Sequence, residues 1–519
     1  MAWNGDHVTA GGQVMAQERE VLIPVKRIQI LGSTIFTAEE LSALTAPLLN
    51  RSVRLSELQA LADRITDFYQ QRNYITSRAA IPPNQTITDG TIIIQVLEGT
   101  LERIDVGRLG DEGGRIPSDY VRDRALLGIG TPLNFATLEA ELQLLRSNPL
   151  FSDIRASLGS GSTPTQSILR LRYAEAPSLA FRPFTDNYGT PSSGIYRAGM
   201  TVQELNLTGL GDLFSANYTR AGSGDSYGLT YQLPLSPRGN TLGLNVAVGR
   251  NPITEAPFDA FNIVTESQVY ELTYRQPLIR KPLEELTLGL IFAVENSASS
   301  LDGIPFNFQT QAFDDGQNQA RVARFSQDYV TRDAGGVWAF RSTFNLGLNV
   351  FGATIRDTGA PDGRFFYWSG QVLRVQRLGP DRDLQAVFRL NTQLTGDRLL
   401  PLNRFSLGGP QSVRGYRQNQ LSGDSGLQGS LEVQVPVVRD RDGIPLIRLL
   451  PFVEGGTIWN TTGSNPNPQT LFSIGLGATY QPFPNLTVRL DYGVPLVNAN
   501  NPGTNLQDSG FYFSVNGNF

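Results

Sequence analysis

Cysteine is absent from this chain of 519 residues, and histidine occurs once, at His7. Without thiols there are no disulfides, no thiolate zinc sites and no cysteine nucleophile. One histidine in a polar N-terminal stretch excludes a histidine-dependent triad and a multi-histidine metal site, and His7 reads as a solvated residue without a role. No run approaches the ~18 consecutive apolar residues of a membrane-crossing helix. A barrel survives that exclusion. Its strands meet lipid at every second residue only, so its average hydropathy looks soluble, as the mean hydropathy of -0.19 does.

Positive charge is also short: 43 Lys+Arg stand against 48 Asp+Glu, a net charge of -5, which argues against a nucleic-acid binder held by phosphates. Gly209-Leu-Gly211 does not complete a phosphate-binding glycine pattern, because Phe214 holds the third glycine's place. Asp89, Asp105 and Asp111 lack calcium-loop spacing, and Glu284-Glu285 reads as a solvated strand end rather than a catalytic pair. Neither an enzyme nor a bound cofactor or metal is expected.

What is present divides at about residue 177. A strand over Val25–Ile30 is followed by Thr37-Ala-Glu-Glu40, a capping box opening a helix to about Leu49. A second box, Ser56-Glu-Leu-Gln59, opens a helix whose Leu58, Leu61, Ala62, Ile65, Phe68 and Tyr69 share one face. Strands near Ile75–Ile81 and Ile92–Leu97 close a β-α-α-β-β unit. Glu102–Val106, Ser118–Leu127, Phe135–Arg146, Ile154–Leu158 and Ile168–Tyr173 repeat it.

Beyond Leu179 the period changes from helical to alternating. Leu242, Leu244, Val246 and Val248 oppose Gly243, Asn245 and Ala247; Leu286, Leu288, Leu290, Phe292 and Val294 oppose Thr287, Gly289 and Ala293. Leu486, Val488, Leu490 and Tyr492 oppose Thr487, Arg489 and Asp491, and Phe511, Phe513, Val515 and Phe519 oppose Ser514, Asn516 and Asn518. Each such strand has one greasy and one wet face. About sixteen strands fit, at roughly 21 residues per strand and connection, enough to span a bilayer and turn. A soluble β-sandwich gives the same alternation with its greasy face inward, and the residues alone leave that alternative open.

Several stretches carry a resemblance to a known family. Leu55-Ser-Glu-Leu-Gln-Ala-Leu-Ala62, Asn73-Tyr-Ile-Thr-Ser-Arg78, Thr88-Asp-Gly90 and Val96-Leu-Glu-Gly99 resemble a first POTRA domain, and Pro132-Leu-Asn134 with Leu138-Glu139 a second. In the alternating part, Asp186, Asn187, Gly189, Gly194 and Arg197 resemble a first hairpin, and Leu207-Thr-Gly-Leu-Gly-Asp212 a first periplasmic turn. Pro401-Leu402, Phe405, Gly408-Gly409 and Val413-Arg-Gly-Tyr416 resemble a long loop folded back into a barrel, and Gly429-Ser-Leu-Glu432 and Phe452-Val-Glu-Gly-Gly456 the strands after it. Over nearly its whole length the chain thus resembles the two-partner secretion transporters of the haemolysin secretion/activation family.

That resemblance implies a fold class of two tandem α+β POTRA domains followed by an all-β, sixteen-stranded transmembrane β-barrel. The expected boundaries are an unstructured tail at 1–20, POTRA domains at 21–99 and 100–177, and a barrel at 178–519 with an in-folded loop at about 398–427. It implies export of an unfolded secreted exoprotein, an adhesin or haemolysin, across the outer membrane of a Gram-negative-type bacterium, with the POTRA domains in the periplasm. Further expected partners are outer-membrane lipid or lipopolysaccharide and the barrel-assembly machinery during biogenesis; the transporter is expected to be monomeric. Residues Met1 to Glu20 show neither the basic end nor the apolar run of a signal peptide. Two alternatives keep much of the fold: a barrel-assembly insertase, whose bacterial members usually carry more POTRA units, and a passive porin, which needs none.

The expected site is the anchor of the in-folded loop. By alternation Glu454 shares a face with Phe452 and Gly456, and Glu432 lies in phase with Gln434. A carboxylate facing lipid would cost several kcal/mol, so both are assigned to the lumen. The resemblance implies that Arg414, flanked by Val413, Gly415 and Tyr416, binds Glu454 with Glu432 nearby; this chain has Glu454 where the family usually has aspartate, one methylene shorter. The aromatics Phe511, Phe513 and Phe519 resemble the C-terminal signal by which outer-membrane barrels are assembled.

Overall fold

The computed structural model describes residues 22–110, 113–312, 314–357, 359–381, 383–499 and 503–519. The expected tail at 1–20, His7 and Asp111 lie outside the described residues.

The first module contains β1 (Leu22–Val25), β2 (Arg27–Leu31), α1 (Ala38–Thr45), β3 (Arg51–Arg54), α2 (Leu55–Gln71), β4 (Arg78–Ala80) and β5 (Thr91–Leu97). The expected first strand is broken at Lys26, because the carbonyl of Gly90 accepts from the N–H groups of both Lys26 and Arg27. The Thr37 capping box forms on both sides, Thr37 N–H donating to Glu40 Oε2 and Glu40 N–H to Thr37 Oγ1. That helix stops at Thr45 in a 3-10 turn, Ala46–Leu48, which Pro47 enters without an N–H to give.

The second box is displaced from its expected place. Arg54, not Ser56, is the cap, its N–H donating to Glu57 Oε2 at 2.9 Å. The cause is β3, which sequence periodicity did not reveal: its pairing with β1 runs to Arg54 and delivers the chain directly into α2. The strand expected over Ile75–Ile81 shrinks to β4, since residues before it wind as turns on the end of α2. The sheet order is β2-β5-β4, with β2 parallel to β5. Leu58, Leu61, Ala62, Ile65 and Tyr69 of α2 bury against Ile92, Ile94 and Val96 of β5, while Phe68 is only partly covered.

The second module contains β6 (Thr100–Arg108), α3 (Ser118–Leu126), α4 (Phe135–Arg146), β7 (Phe151–Ser160) and β8 (Gln166–Glu175), with sheet order β6-β8-β7.

The remainder is strand. In order come β9 (Leu179–Asp186), β10 (Arg197–Leu205), β11 (Leu213–Ala221), β12 (Gly224–Pro234), β13 (Thr241–Pro252), β14 (Val264–Lys281) and β15 (Glu284–Leu301). Next are β16 (Ile304–Pro305), β17 (Gln317–Asp333), β18 (Gly336–Gly347), β19 (Phe366–Arg377), β20 (Gln385–Thr395), β21 (Phe405–Leu407) and β22 (Leu421–Gly423). Last are β23 (Ser425–Arg439), β24 (Pro445–Trp459), β25 (Thr470–Phe483), β26 (Leu486–Pro495) and β27 (Phe511–Gly517). The two-residue β16 only extends β15, and β21 and β22 form their own ribbon in the loop between β20 and β23. Among the described residues the other sixteen strands, β9 to β27, close one antiparallel barrel in which β27 pairs back onto β9.

The greasy face points out. On β15, Leu290 is 60% exposed, while Ala293 and Glu295 on the other face are 0% and 4% exposed. This inversion excludes the sandwich, because apolar side chains left outside a closed cylinder need lipid, not a core.

Candidate functional site

The loop between Thr395 and Ser425 turns into the lumen because it carries its own apolar side chains. Leu407, Val413 and Tyr416 are fully buried, packed with Leu421 and with Ile458 of β24 and Leu471 of β25. At its tip Gly415 has φ 97°, and a Cβ there would come within 3.1 Å of the Gly493 backbone. A Cβ on Gly493 would in turn lie 2.5 Å from Gly415 N, so two glycines allow the loop to press on β26.

That contact sets Arg414 in a cage of three carboxylates. Its Nε and Nη2 donate to Glu454 Oε1 at 3.0 and 2.6 Å, and its backbone N–H donates to Glu454 Oε2 at 2.7 Å. Nη1 donates to Glu432 Oε2 at 3.0 Å and to Asp491 Oδ1 at 2.7 Å. The guanidinium carbon stacks 3.4 Å from the centroid of the Phe452 ring. Arg489 closes the far side, donating from Nη2 to Glu432 at 2.9 Å and from Nε to Asp491 at 2.7 Å. The extra methylene of Glu454 lets one oxygen serve the guanidinium while the other holds the loop backbone.

Arg414 is 3% exposed and Glu432, Glu454 and Asp491 are no more than 5% exposed, so four charges share a dry pocket, with the partly exposed Arg489 at its edge. Desolvation of each costs several kcal/mol, and only the full set of partners offsets it. The neighbours fix the frame. Tyr512 on β27 accepts from Gly415 N–H at 2.8 Å and donates to Tyr416 O at 2.6 Å. The Tyr416 hydroxyl lies 2.9 Å from Phe472 O and accepts from Val497 N–H at 3.0 Å. Gly456 leaves room for Leu407, whose Cδ2 a Cβ would meet at 2.9 Å.

Arg489, Asp491 and Tyr512 were not singled out from sequence. A signal existed for the first two: opposite charges two residues apart on the wet face of β26. The loop root has its own contacts: Leu399 and Leu400 bury against Ala293, Val322 and Phe365, and Asn403 Nδ2 donates to Glu295 Oε2 at 2.8 Å.

The first-hairpin residues and the C-terminal aromatics meet at the seam. β27 and β9 share only the pairs Ser514 to Asp186, Val515 to Thr185 and Asn516 to Phe184. The side-chain amide of Asn187 extends the seam as a peptide group would, accepting from Phe513 N–H at 2.8 Å and donating to Phe511 O at 2.9 Å. Phe519 and Phe181 exchange backbone hydrogen bonds of 2.8 and 2.9 Å beyond the other end. Asp186 takes both forks of Arg197 at 2.8 and 2.9 Å, and a Cβ on Gly189 would strike Gly194 O at 2.2 Å. Phe511, Phe519 and, in part, Phe513 face outward.

The family described as haemolysin secretion/activation protein ShlB/FhaC/HecB matches residues 165–480, and the ShlB-type POTRA domain matches residues 23–99. The chain belongs to this family. Among its curated relatives, an outer membrane transporter CdiB of Dickeya dadantii is 22% identical over 471 residues, covering 88% of this chain and 80% of that protein. The hemolysin transporter protein ShlB of Serratia marcescens is 25% identical over 462 residues, covering 83% and 76%. The solved structure of CdiB from Escherichia coli superposes with a TM-score of 0.74 at 21% identity, covering 98% of this chain and 93% of that one, a likeness of fold. The chain is therefore a two-partner secretion translocator of the outer membrane, a barrel preceded by periplasmic POTRA modules, and its family is one of transporters.

Proposed function

We propose that the Arg414 cluster anchors the in-folded loop inside the barrel while an unfolded exoprotein passes beside it from periplasm to cell surface. The domains doing so are taken as 21–99 and 100–177 for the two POTRA units and 178–519 for the barrel. The first POTRA unit receives the exoprotein by strand addition to a sheet edge or along its helix–strand groove, where backbone hydrogen bonds tolerate varied sequence. The exoprotein is of adhesin or haemolysin kind. Folding outside the cell makes transit one-way, since no nucleotide motif is present to drive it. The transporter works as a monomer among outer-membrane lipid and lipopolysaccharide after delivery by the barrel-assembly machinery.

The observation that carries this reading is the convergence of Glu432, Glu454 and Asp491 on one loop arginine. Removing the cation leaves three buried carboxylates against Arg489 alone, a loss of about 3–5 kcal/mol by the usual measure of a broken buried pair. Arg414→Ala is therefore expected to lower export of a co-expressed exoprotein at least about tenfold, with heat-modifiable migration of the barrel retained. Wild-type export by this variant overturns the anchoring role. A charge swap between Arg414 and Glu454 is expected not to restore export, because the new carboxylate would face Glu432 and Asp491.

A further inference from the structure

Part of the lumen wall is apolar, against the rule that the inner face of this barrel is wet. Strand register sets Val330, Ala339 and Leu373 side by side across β17, β18 and β19, with Val337, Val375 and Val387 on the next inward rung. These positions share a face with Asp328, Arg341 and Gln371, whereas Phe340 and Phe388, in the alternate phase, face outward at 39% and 37% exposure. The strip lies toward the short turns at this end of the strands, the periplasmic end in outer-membrane barrels.

A cavity of about 400 Å³ lies over Val330, Ala339 and Leu373. A second, of about 450 Å³, shares Gln371 and Asn391 with it and runs on beside the in-folded loop, lined by polar side chains such as Gln411, Ser412, Gln418 and Gln428. Charge around the first cavity is unbalanced toward the positive. Its lining sets Arg275, Arg341 and Arg389 against Asp328 and Glu285. Arg275 and Arg341 both pair with Asp328, and Arg389, exposed beside Leu373, has no carboxylate partner among the described residues. The contrast with the Arg414 wall is plain: there every charge is spent on holding the loop.

We propose that the inner wall of β17–β20 is the track along which the secreted polypeptide moves, and that it takes first an extended segment alternating apolar side chains with carboxylates. This rests on the translocator reading and adds the route and the chemistry of the preferred segment. Apolar side chains leave water on Val330, Ala339 and Leu373, and a carboxylate pairs with Arg389. Further along, the amide-lined cavity offers donors and acceptors to a backbone of any sequence. Both footholds are shallow, so the chain is guided without being trapped.

The absence of cysteine makes the test direct. The full-length chain carrying Gln371→Cys on the track, or Thr219→Cys on the inward face of β11 as control, is reconstituted in liposomes and labelled with a membrane-impermeant maleimide. The probe is a synthetic serine-spaced peptide alternating leucine with glutamate, compared with the same peptide carrying lysine for glutamate. The glutamate peptide should slow labelling of Gln371→Cys by about tenfold, the ratio one charge-assisted contact supports, and leave Thr219→Cys unaffected. Adding Arg389→Glu should transfer that protection to the lysine peptide. Equal protection at both positions, or protection indifferent to Arg389→Glu, overturns the track. Export of a co-expressed exoprotein with Gln371→Cys left unprotected sinks the route alone; failure of the wild-type chain to export at all sinks the translocator reading instead.

Discussion

The first POTRA module and the barrel use leucine, isoleucine and phenylalanine in opposite senses. In the module, Leu61 and Ile65 are fully buried under a sheet; in the barrel, Leu290 and its outward neighbours stand at the surface and the polar side chains turn in. One is stabilised by an apolar core in water, the other by a hydrogen-bonded cylinder in lipid with charge clusters inside. The difference teaches that burial alone is a poor measure of importance here. In the barrel the deeply buried groups include the charged Arg414, Glu432 and Asp491, which would be liabilities in the module.

The comparison can be broken at its strongest point by truncating one leucine on each side. Leu61→Ala should cost about 2–5 kcal/mol and lower the denaturation midpoint of the POTRA transition in the full chain. Leu290→Ala should leave barrel stability within about 1 kcal/mol, because acyl chains fill the space. Equal losses would mean that the two apolar faces are not differently solvated. Leu290→Arg sharpens the same contrast: about 2–4 kcal/mol should be lost from barrel insertion in lipid.

A smaller effect separates the seam from the other strand pairs. Asn187→Ala removes two hydrogen bonds at the three-residue junction of β9 and β27, leaving Phe513 N–H and Phe511 O unpaired. It should cost about 1–3 kcal/mol and speed unfolding of the cylinder measured by heat-modifiable migration. Thr219→Ala on the long β11 ladder should leave that rate unchanged.

The smallest expected effect lies in the module and depends on pH. The Thr37 backbone N–H and the Arg72 guanidinium hold the Glu40 carboxyl below its ordinary value. A carboxyl lowered on folding adds stability above its unfolded value and loses it as pH falls through the folded one. Glu40→Gln should therefore weaken the module slightly near neutrality and make no difference once the pH has fallen below the lowered folded-state value. A gap that persists in acid would assign the effect to shape rather than charge.

Helix α2 and the alternating strands were legible because each repeats its own period over many residues. β3 and the short β4 were not, since four- and three-residue strands carry too little pattern. At the site, phase placed Glu432 and Glu454 inward, and the resemblance paired them with Arg414. Asp491 and Tyr512 lie 77 and 98 residues further along than Arg414 in sequence, and no local pattern ties them to a loop glycine.

The sequence by itself determined the period of each segment, and with it helix against strand, greasy face against wet face, and the number of crossings. Periodicity is local, so residues a few places apart suffice to fix it. Only the tertiary structure decided which way the greasy faces turn and which carboxylates enclose Arg414. Those depend on closure of β27 onto β9, a long-range event that brings the ends of the barrel together and gives the lumen its inside.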